Sequence, residues 1–387
     1  MQTDRYLFLS ILFLIGVAIV FSYSLSVFTI LRYNYTEFHY LIREFAVGML
    51  SIFIMWGLSQ LDPDRYLNKI GFTIFFVSLI LMSIMQFLPA NYVTAAGGAK
   101  RWIRLPGFSL SPVEFFKVGF VYFLAWSFAR KLDESKKSLK EELKLILPYV
   151  GLFLIAVYLI AILQNDLGQV VVLALTLAVM AFFAGTSAKL FMLTIIGAII
   201  VATGAIATST HRIIRIKTWW ATIQNMVLSF FPPNIAKYLR VEDAPEPYQI
   251  SHSLNAIKHG GLFGTGIGSG TFKLGFLSEV HTDFVLAGIS EEIGAIGVIV
   301  ITLIYLFIIF RIFKISNRSE NKVYHLFALG VALLLAFSFL INALGITSVI
   351  PMKGIAVPFL SYGGSSMLAA SIAIGMTLMI SKKVNLK

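Results

Sequence analysis

Five ionisable side chains lie close together in the segment SEVHTDFVLAGISEEIG, at positions 278–294 of a chain in which only 13% of the residues are charged. They are Glu279, His281, Asp283, Glu291 and Glu292. Carboxylates and imidazoles are the groups that most often accept or donate protons in catalysis. Asp283 falls where a long apolar helix is expected to begin, so a helix cap is the alternative role for its carboxylate.

Glu291 and Glu292 lie about two turns further into the same expected helix, inside a segment apolar enough to cross a membrane. Neither has an obvious partner nearby in the sequence. A buried carboxylate without a partner is costly, so this pair predicts a cavity that reaches into the membrane from outside.

The motif GGAKRWIRL, at 97–105, combines two glycines with three cations and a tryptophan. Gly97 and Gly98 permit an unusual backbone conformation. One interpretation is an anchor at the bilayer surface, where tryptophan and arginine are favoured. The other is a binding loop for an anion, and its candidate side chains are Lys100, Arg101, Trp102 and Arg104.

The motif SPVEFFK, at 111–117, opens an apolar helix, with Ser111 as the expected cap and Pro112 at the first helical position. Glu114 and Lys117 are three residues apart and therefore share one helical face. An uncompensated charge inside a span costs about 2.5–3.5 kcal/mol. The two side chains therefore either neutralise each other or belong to a functional site.

Two shorter motifs each allow a structural and a functional interpretation. QNDLG, at 164–168, places Asp166 at the tip of a tight helical hairpin, where it either caps the next helix or contributes a carboxylate to a site. HRIIRIKTWW, at 211–220, spaces Arg212, Arg215 and Trp219 along one helical face. This basic and aromatic stripe is also typical of a helix that only lies on the membrane surface.

Glycine and proline mark two irregular segments. GGLFGTGIGSG, at 260–270, matches neither the dinucleotide-binding fingerprint nor the Walker motif, so it predicts a flexible hinge or a backbone anion nest. PMKGIAVPFLSYGGSS, at 351–366, contains Lys353, two prolines and paired glycines. Irregular backbone at membrane depth is tolerated only where it contacts protein or lines a water-filled cavity.

The elements that must position these residues follow from composition. The chain is 58% hydrophobic, and its apolar runs repeatedly exceed the roughly eighteen residues needed to cross a bilayer. It lacks cysteine, which excludes disulfides and thiolate metal sites. We therefore predict an all-α polytopic membrane protein with about ten transmembrane helices, forming one domain over 1–387 with a large extracytoplasmic loop at 209–283. The predicted spans are 6–29, 41–60, 67–88, 112–130, 145–163, 167–184, 189–208, 284–311, 323–344 and 364–381.

Lysine and arginine in the short loops indicate the orientation. They concentrate in 130–144, in 311–322 and in the C-terminal tail, which predicts that both termini are cytoplasmic. The two outer segments, 89–111 and 209–283, nevertheless carry many cations, although single side chains of this kind can simply snorkel to lipid headgroups. A cationic outer surface beside a membrane suits an anionic lipid-linked ligand such as a diphosphate. These cations are Lys100, Arg101, Arg104, Arg212, Arg215, Lys217, Lys237, Arg240, Lys258 and Lys273.

In their order along ten spans, GGAKRWI, SPVEFFK, QNDLG, SEVHTDF, EEIG and PMKGIAVPFLSYGGSS resemble the motifs of the SEDS proteins, the shape, elongation, division and sporulation family of peptidoglycan glycosyltransferases. The resemblance covers nearly the whole chain. The forms KLGFLSEVHTDF and PMKG look more like the division member of the family than its elongation member. Two departures concern the motif around Asp166, where Asn165 and Gln169 replace the usual proline and threonine, and Ser278, where proline is common.

The resemblance implies a transferase that polymerises lipid II on the outer face of the cytoplasmic (inner) membrane, with inversion at the sugar and release of undecaprenyl diphosphate. Asp283 then matches the catalytic base of the family. The expected substrate-binding residues are Lys100, Arg101, Trp102, Glu114, Lys117, Asp166, Arg212, Arg215, Lys273, His281, Lys353, Ser361, Gly363 and Gly364.

The resemblance also implies partners: lipid II, a class B penicillin-binding transpeptidase and other divisome membrane proteins at the division site, with no nucleic acid. The sequence identifies no cofactor, and a divalent cation such as Mg²⁺ is an open alternative. A lipid II flippase and a non-catalytic scaffold of a cell-wall synthase are rival functions. A transporter should carry charge along a path to both membrane faces, whereas the notable charged groups here gather outside.

Overall fold

A computed structural model describes residues 3–96, 99–106, 108–132, 138–207, 210–241 and 248–386. Gly97, Gly98 and part of the basic 130–144 segment lie outside these residues. The interpretation of the paired glycines therefore stays a prediction.

The described chain is built mainly from α-helices. In order they are α1 Arg5–Leu25, α2 Val27–Tyr33, α3 His39–Gln60, α4 Pro63–Ile84, α5 Pro112–Lys131, α6 Leu139–Val157, α7 Leu167–Phe183, α8 Ala188–Ala207, α9 Thr210–Leu228, α10 Pro233–Leu239, α11 Tyr248–Gly260, α12 Val285–Asn317, α13 Lys322–Ile346 and α14 Gly364–Ser381. A π-helical turn, Tyr158–Leu163, continues α6.

The helices confirm the predicted all-α polytopic membrane fold. Within the described ranges, eight are long and apolar enough to cross a bilayer, namely α1, α3, α4, α5, α6 with its π-helical turn, α12, α13 and α14. The shorter apolar helices α7 and α8 lie at predicted spans six and seven. Helices dominate because lipid offers no hydrogen-bond partner to the backbone, so each span must satisfy its own groups.

Three spans form the centre of the bundle. In their most apolar stretches, 72% of α5, 72% of α13 and 78% of α14 is buried inside the protein, compared with 22% of α3. A side chain on α5 or α13, or at the start of α14, is therefore held by close-packed neighbours on most sides. These helices provide the rigid support for the residues described below.

A small sheet, which the sequence motifs did not predict, lies between α4 and α5. It is antiparallel in the order β1 Val93–Ala96, β2 Ala99–Leu105 and β3 Phe108–Leu110. Strand β2 carries most of the basic 97–105 motif, and Ile103 of this strand pairs with both outer strands. The basic motif is thus a central strand with a fixed register, which holds its side chains in defined directions.

Helix α12 is broken at Gly294, whose φ of 70° and ψ of −177° are not helical. The glycine-rich segment 261–266 fills the break. The amides of Thr265 and Gly266 donate to the carbonyls of Glu291 and Glu292, both at 2.9 Å, while residues 295 and 296 donate to the carbonyls of residues 261 and 262. Because these amides are engaged in the chain itself, 261–266 is a fixed insert and not a flexible hinge, while the anion nest predicted within 260–270 stays a prediction.

Candidate functional site

Asp283 lies one residue before the cap of α12. The cap position belongs to Phe284, and the cap carries no side-chain hydrogen bond, so Asp283 does not cap this helix. Its side chain is partly buried. The carboxylate thus has no role in starting the helix and is free for another one.

The backbone around Asp283 is fixed by two other parts of the chain. The amide nitrogen of Asn342, on α13, donates to the carbonyl of Asp283 at 2.7 Å and to that of Ile355 at 2.8 Å. The hydroxyl of Ser361 donates to the carbonyl of Thr282 at 2.7 Å. These bonds tie the start of α12 to the irregular 353–362 segment, so the carboxylate is held on a rigid support.

Gly354 lies directly against the Asp283 carboxylate. A Cβ atom at this position would be 2.4 Å from Oδ2 of Asp283, closer than any real contact. Only glycine therefore allows the 353–355 segment to pass this close to the carboxylate.

Asp166 reaches the same place from the α6–α7 hairpin. Its Oδ1 accepts the amide of Gln169 at 3.3 Å, which confirms the cap interpretation. The same side chain also acts electrostatically on Asp283, as described below, so capping is not its only effect. Nε and Nη2 of Arg101 donate to the carbonyls of Gln164 and Asn165 at 2.7 and 2.8 Å. Strand β2 thereby clamps the hairpin tip in place.

Asn165 explains how the hairpin closes without the proline that is usual in the resembling family. Its φ is +51°, a conformation that a proline ring cannot adopt but asparagine tolerates. Its side-chain oxygen accepts a hydrogen bond from Arg212 at 2.9 Å, and Arg212 also donates to the carbonyl of Ala161 at 2.8 Å. An external arginine therefore supplies rigidity that proline would otherwise provide.

The electrostatics of the site centre on Asp283. Burial, together with the negative charges of Glu279 and Asp166, raises its pKa to about 7, while Arg101 and Arg215 act in the opposite direction. Burial also raises the pKa of Asp166, which Arg101 partly offsets. A carboxylate that titrates near neutral pH is well matched to accept a proton from a hydroxyl.

Positive charge surrounds the two carboxylates. Burial and the nearby Arg215 and Arg212 lower the pKa of Lys353, while Asp166 raises it. Arg215 is exposed on α9. Cations grouped in this way can stabilise an anionic leaving group that forms beside Asp283.

Glu114 and Lys117 form the ion pair that their spacing predicted, at 2.9 Å. Gln169 joins them, because it accepts from Lys117 at 2.7 Å and donates to Glu114 at 3.0 Å. The backbone amide of Gln169 also donates to the carboxylate of Asp166, which caps α7. The pair therefore supports the hairpin that carries Asp166 and does not present a free charge.

His281 is buried and packs between two tyrosines. Its ring is 5.2 Å from that of Tyr40 and 5.7 Å from that of Tyr362, and its Nδ1 has no hydrogen-bond partner. Burial lowers the pKa of His281 to about 4, so the ring is neutral at physiological pH. Gly363, the cap residue of α14, and Gly364 follow Tyr362 and are partly buried.

The structure removes the reason for the cavity that Glu291 and Glu292 predicted. Glu292 pairs with Lys273 at 2.6 Å and accepts from Ser24, and all three side chains are buried. Glu291 accepts from His259 at 3.0 Å and from the backbone amides of residues 271 and 272. Both carboxylates are satisfied within the protein, so neither requires a cavity.

Three other expected binding residues are also committed to internal bonds. The Lys273 ammonium lies inside the ion pair with Glu292 and is not a free surface cation. Nζ of Lys100 donates to the carbonyls of residues 86 and 88 at 2.9 and 2.7 Å. These bonds hold β2 to the segment that follows α4. The hydroxyl of Ser361 both donates to Thr282 and accepts from the amide of Val357. Trp102, by contrast, is half-buried beside Arg101 on β2.

Sequence reasoning missed the positioning residues Asn342, Gln169 and Gly354. Asn342 is a single amide within the apolar segment FSFLINALGI of α13, and an isolated polar residue in a span was the available signal. Gln169 and Gly354 stand next to recognised motifs, but only the folded chain shows what they contact. Among the described residues, no group of three or more His, Cys, Asp and Glu side chains could hold a metal ion.

Comparisons with known proteins identify relatives of this chain. The FTSW_RODA_SPOVE family model, described as "Cell cycle protein", matches residues 5–386. A Helicobacter pylori protein named "Probable peptidoglycan glycosyltransferase FtsW" is 49% identical over 384 residues, which cover 99% of each chain. A protein of the same name from Trichlorobacter lovleyi is 32% identical over 389 residues, covering 100% of this chain and 94% of that one.

Two solved structures share the fold. The crystal structure of the Thermus thermophilus rod shape determining protein RodA superposes with a TM-score of 0.64 at 21% identity, covering 99% of this chain and 98% of that one. A chain from work described as "Structural coordination of polymerization and crosslinking by a peptidoglycan synthase complex" gives a TM-score of 0.71 at 20% identity, with the same coverage.

Proposed function

Because this chain belongs to the FtsW/RodA/SpoVE family of cell cycle proteins, we propose that it is a peptidoglycan glycosyltransferase that polymerises lipid II for septal wall synthesis during cell division. The observation that carries the proposal is the arrangement around Asp283. This carboxylate titrates near neutral pH and lies beside Asp166 and a group of cations. A glycosyl transfer to a hydroxyl, with a diphosphate as leaving group, needs these two features together.

In the proposed reaction, Asp283 accepts the proton from the 4-hydroxyl of the attacking sugar as its oxygen bonds to the anomeric carbon of the donor. The bond from that carbon to the diphosphate oxygen breaks, and undecaprenyl diphosphate leaves with the electron pair. Arg215 and Lys353 lie where they can offset the charge on the departing diphosphate. Direct displacement converts an α-linked donor into a β-linked strand.

The site belongs on the outer face of the cytoplasmic membrane in this proposal, with both termini in the cytoplasm. The contacts of the chain ends support one common face for them. Asp4 pairs with Arg311 at 2.7 Å, and its amide donates to Ser381 at 3.1 Å. Nζ of Lys314 donates to the carbonyl of Leu386 at 2.9 Å. The N-terminus, the C-terminal tail and the basic end of α12 thus meet, as the charge distribution predicted.

A divalent cation such as Mg²⁺ remains part of the proposal as a substrate-bound ion. Mg²⁺ typically binds one or two carboxylates together with substrate phosphates. Asp166, whose charge acts on Asp283, is the carboxylate that would hold it, because Asp283 must stay free to accept the proton. The cation would supply charge neutralisation for the diphosphate.

We also propose a single-span class B penicillin-binding transpeptidase as partner, together with other divisome membrane proteins. Helix α12 has an apolar face that is exposed on the surface of the bundle. Its residues include Ile296, Ile299, Leu303, Leu306 and Phe310. The related chain described in a peptidoglycan synthase complex supports a partner of this kind. Photo-crosslinkers at these positions should capture a bitopic transpeptidase. Crosslinking only through exposed faces of α1, α3 or α4 would place the interface elsewhere.

The test of the function is polymerisation of labelled lipid II by the purified protein, with its cognate transpeptidase added, in Mg²⁺ and in chelator. Glycan strands resolved on a gel support the transferase. Translocation of lipid II across vesicles without polymer would instead indicate the flippase. If the wild type yields neither, with a folded partner present, the scaffold function replaces the proposal.

A further inference from the structure

A connected group of aromatic rings approaches Asp283 from the turn between α2 and α3. Tyr35 stacks on His39 at 4.1 Å and meets the ring of Tyr40 at 6.2 Å, edge to face. Tyr40 in turn meets Tyr362 at 4.9 Å and His281 at 5.2 Å. His281 is two residues from Asp283, so the rings run from the protein surface to the candidate base.

The charged groups that act on this aromatic region differ from those that act on the cationic region around Lys353. Burial and Glu44 raise the pKa of the Tyr362 hydroxyl, Arg43 lowers it and Tyr35 raises it. On the other side, Lys353 is influenced by Arg215, Arg212 and Asp166. The charged residues that act on Tyr362 are thus different from those that act on Lys353.

Asp283 is influenced from both sides. Glu279 acts on it from the aromatic side, and Arg101, Arg215 and Asp166 act from the cationic side. Glu279 is exposed, and its Oε2 accepts the hydroxyl of Thr282 at 3.0 Å. The candidate base therefore lies between the region of Arg101, Arg215 and Asp166 and a region of aromatic rings that also holds Arg43, Glu44 and the exposed Glu279.

Direct displacement requires this kind of division. The attacking oxygen and the leaving oxygen lie on opposite sides of the reacting carbon, so the groups that hold the attacking sugar must lie on a different side from those that stabilise the leaving diphosphate. One face of a sugar ring exposes only C–H bonds and packs on aromatic side chains, while its hydroxyl and amide edges seek carboxylates and phenolic hydroxyls. The aromatic side of Asp283 offers both.

We propose that Tyr35, Tyr362 and Glu279, backed by Tyr40, form the subsite for the attacking sugar, an N-acetylhexosamine whose 4-hydroxyl points at Asp283. This inference rests on the proposed glycosyl transfer and adds the position of the acceptor to it. Tyr35, 43% exposed, is the open end of the subsite. Tyr40 and His281 are buried and give the exposed rings a fixed backing.

The test separates acceptor from donor. A soluble disaccharide-peptide without lipid or diphosphate can only accept, and lipid II with its 4-hydroxyl capped can only donate. The rate at which one glycosidic bond forms between these two substrates, measured at varied concentrations of each, gives a KM for the acceptor and a KM for the donor. In Tyr35→Ala, the acceptor KM should rise about five- to tenfold, since one aromatic contact is lost, while the donor KM stays within about twofold. Tyr35→Phe keeps the ring and should stay near wild type.

Two controls make the result specific. Tyr238→Ala removes a tyrosine that is 90% exposed on α10 and should change neither KM. Arg215→Ala should show the reverse pattern, with a raised donor KM. An unchanged acceptor KM in Tyr35→Ala, or an equal rise in both constants, would overturn the subsite.

Direct binding keeps the inference testable if the wild type forms no bond at all. In that case the proposed transferase fails, and calorimetric titration with the disaccharide-peptide judges the subsite alone. Weaker binding to Tyr35→Ala than to wild type and Tyr35→Phe supports it. Equal binding to all three proteins refutes it.

Discussion

Replacing Asp283 by asparagine should abolish polymerisation and, above neutral pH, make the protein more stable. Asparagine keeps the size and the hydrogen-bonding capacity of the side chain but cannot accept the proton. The loss of a general base typically lowers the rate by about 10²–10⁴. The gain in stability arises because the folded protein disfavours the ionised carboxyl at this position.

The direction of the stability change follows from the pKa values of Asp283 in the unfolded and in the folded protein. Its pKa is raised from 3.8 to about 7 in the folded protein. A carboxyl with a raised pKa contributes no penalty below pH 3.8, where it is protonated in both states, and destabilises the fold progressively as pH rises to 7. The full difference corresponds to about 4 kcal/mol above pH 7. Solvent reaches this partly exposed side chain, so we expect about 2 kcal/mol.

The measurement is thermal unfolding of wild type and Asp283→Asn in detergent at pH 4, 6 and 8, beside the polymerisation assay. The two proteins should unfold together at pH 4, and the variant should unfold several degrees higher at pH 8. The activity of the wild type should fall as pH drops below about 7, because protonation removes the base. Lower stability of the variant at pH 8 would show that the carboxylate holds the fold together, and the reasoning would fail.

Three further outcomes test the surroundings of the site. Reversing Glu114 or Lys117 alone should abolish polymerisation, whereas reversing both should restore part of it; equal loss in the double variant would contradict the pairing. Glu292→Ala leaves the Lys273 ammonium buried and should lower the free energy of unfolding by about 3–5 kcal/mol, with a milder loss when Lys273→Met is added, as denaturation curves would show. Gly354→Ala forces the Asp283 carboxylate to move and should cut the polymerisation rate by about 10²-fold at unchanged Tm; normal activity would mean that the placement of this carboxylate tolerates the shift.

The sequence predicted the eight membrane-spanning helices and the two shorter apolar helices because lipid leaves few choices to the backbone. A run of apolar residues long enough to cross the bilayer must be helical, and neighbouring residues alone decide where it ends. The Glu114 and Lys117 pair was predictable for the same reason, since both residues lie on one turn of α5. Local periodicity was therefore sufficient to predict the membrane-spanning helices and the contacts within a single helix.

Contacts between segments were not predictable in this way. Glu292 looked unpaired because its partner, Lys273, precedes it by nineteen positions in a segment without periodicity. Lys100 looked like a surface cation because the carbonyls that it binds belong to the segment that follows α4. The proximity of Asp166 and Asp283 was not predicted, since they are 117 positions apart along the chain. Only packing of the folded bundle brings such groups together.

The break in α12 has a consequence for how the chain is assembled in the membrane. A newly inserted helix with a gap at Gly294 would expose the carbonyls of residues 291 and 292 and the amides of residues 295 and 296, at several kcal/mol for each group left in lipid. The insert 261–266 leaves the ribosome before α12 but has nothing to bind until α12 arrives. During biogenesis α12 therefore either enters the bilayer as a continuous helix and breaks later, or enters together with its insert as one hairpin. Deleting one residue of the insert would leave these groups without hydrogen-bond partners in lipid, and the nascent protein would become a substrate for membrane proteases.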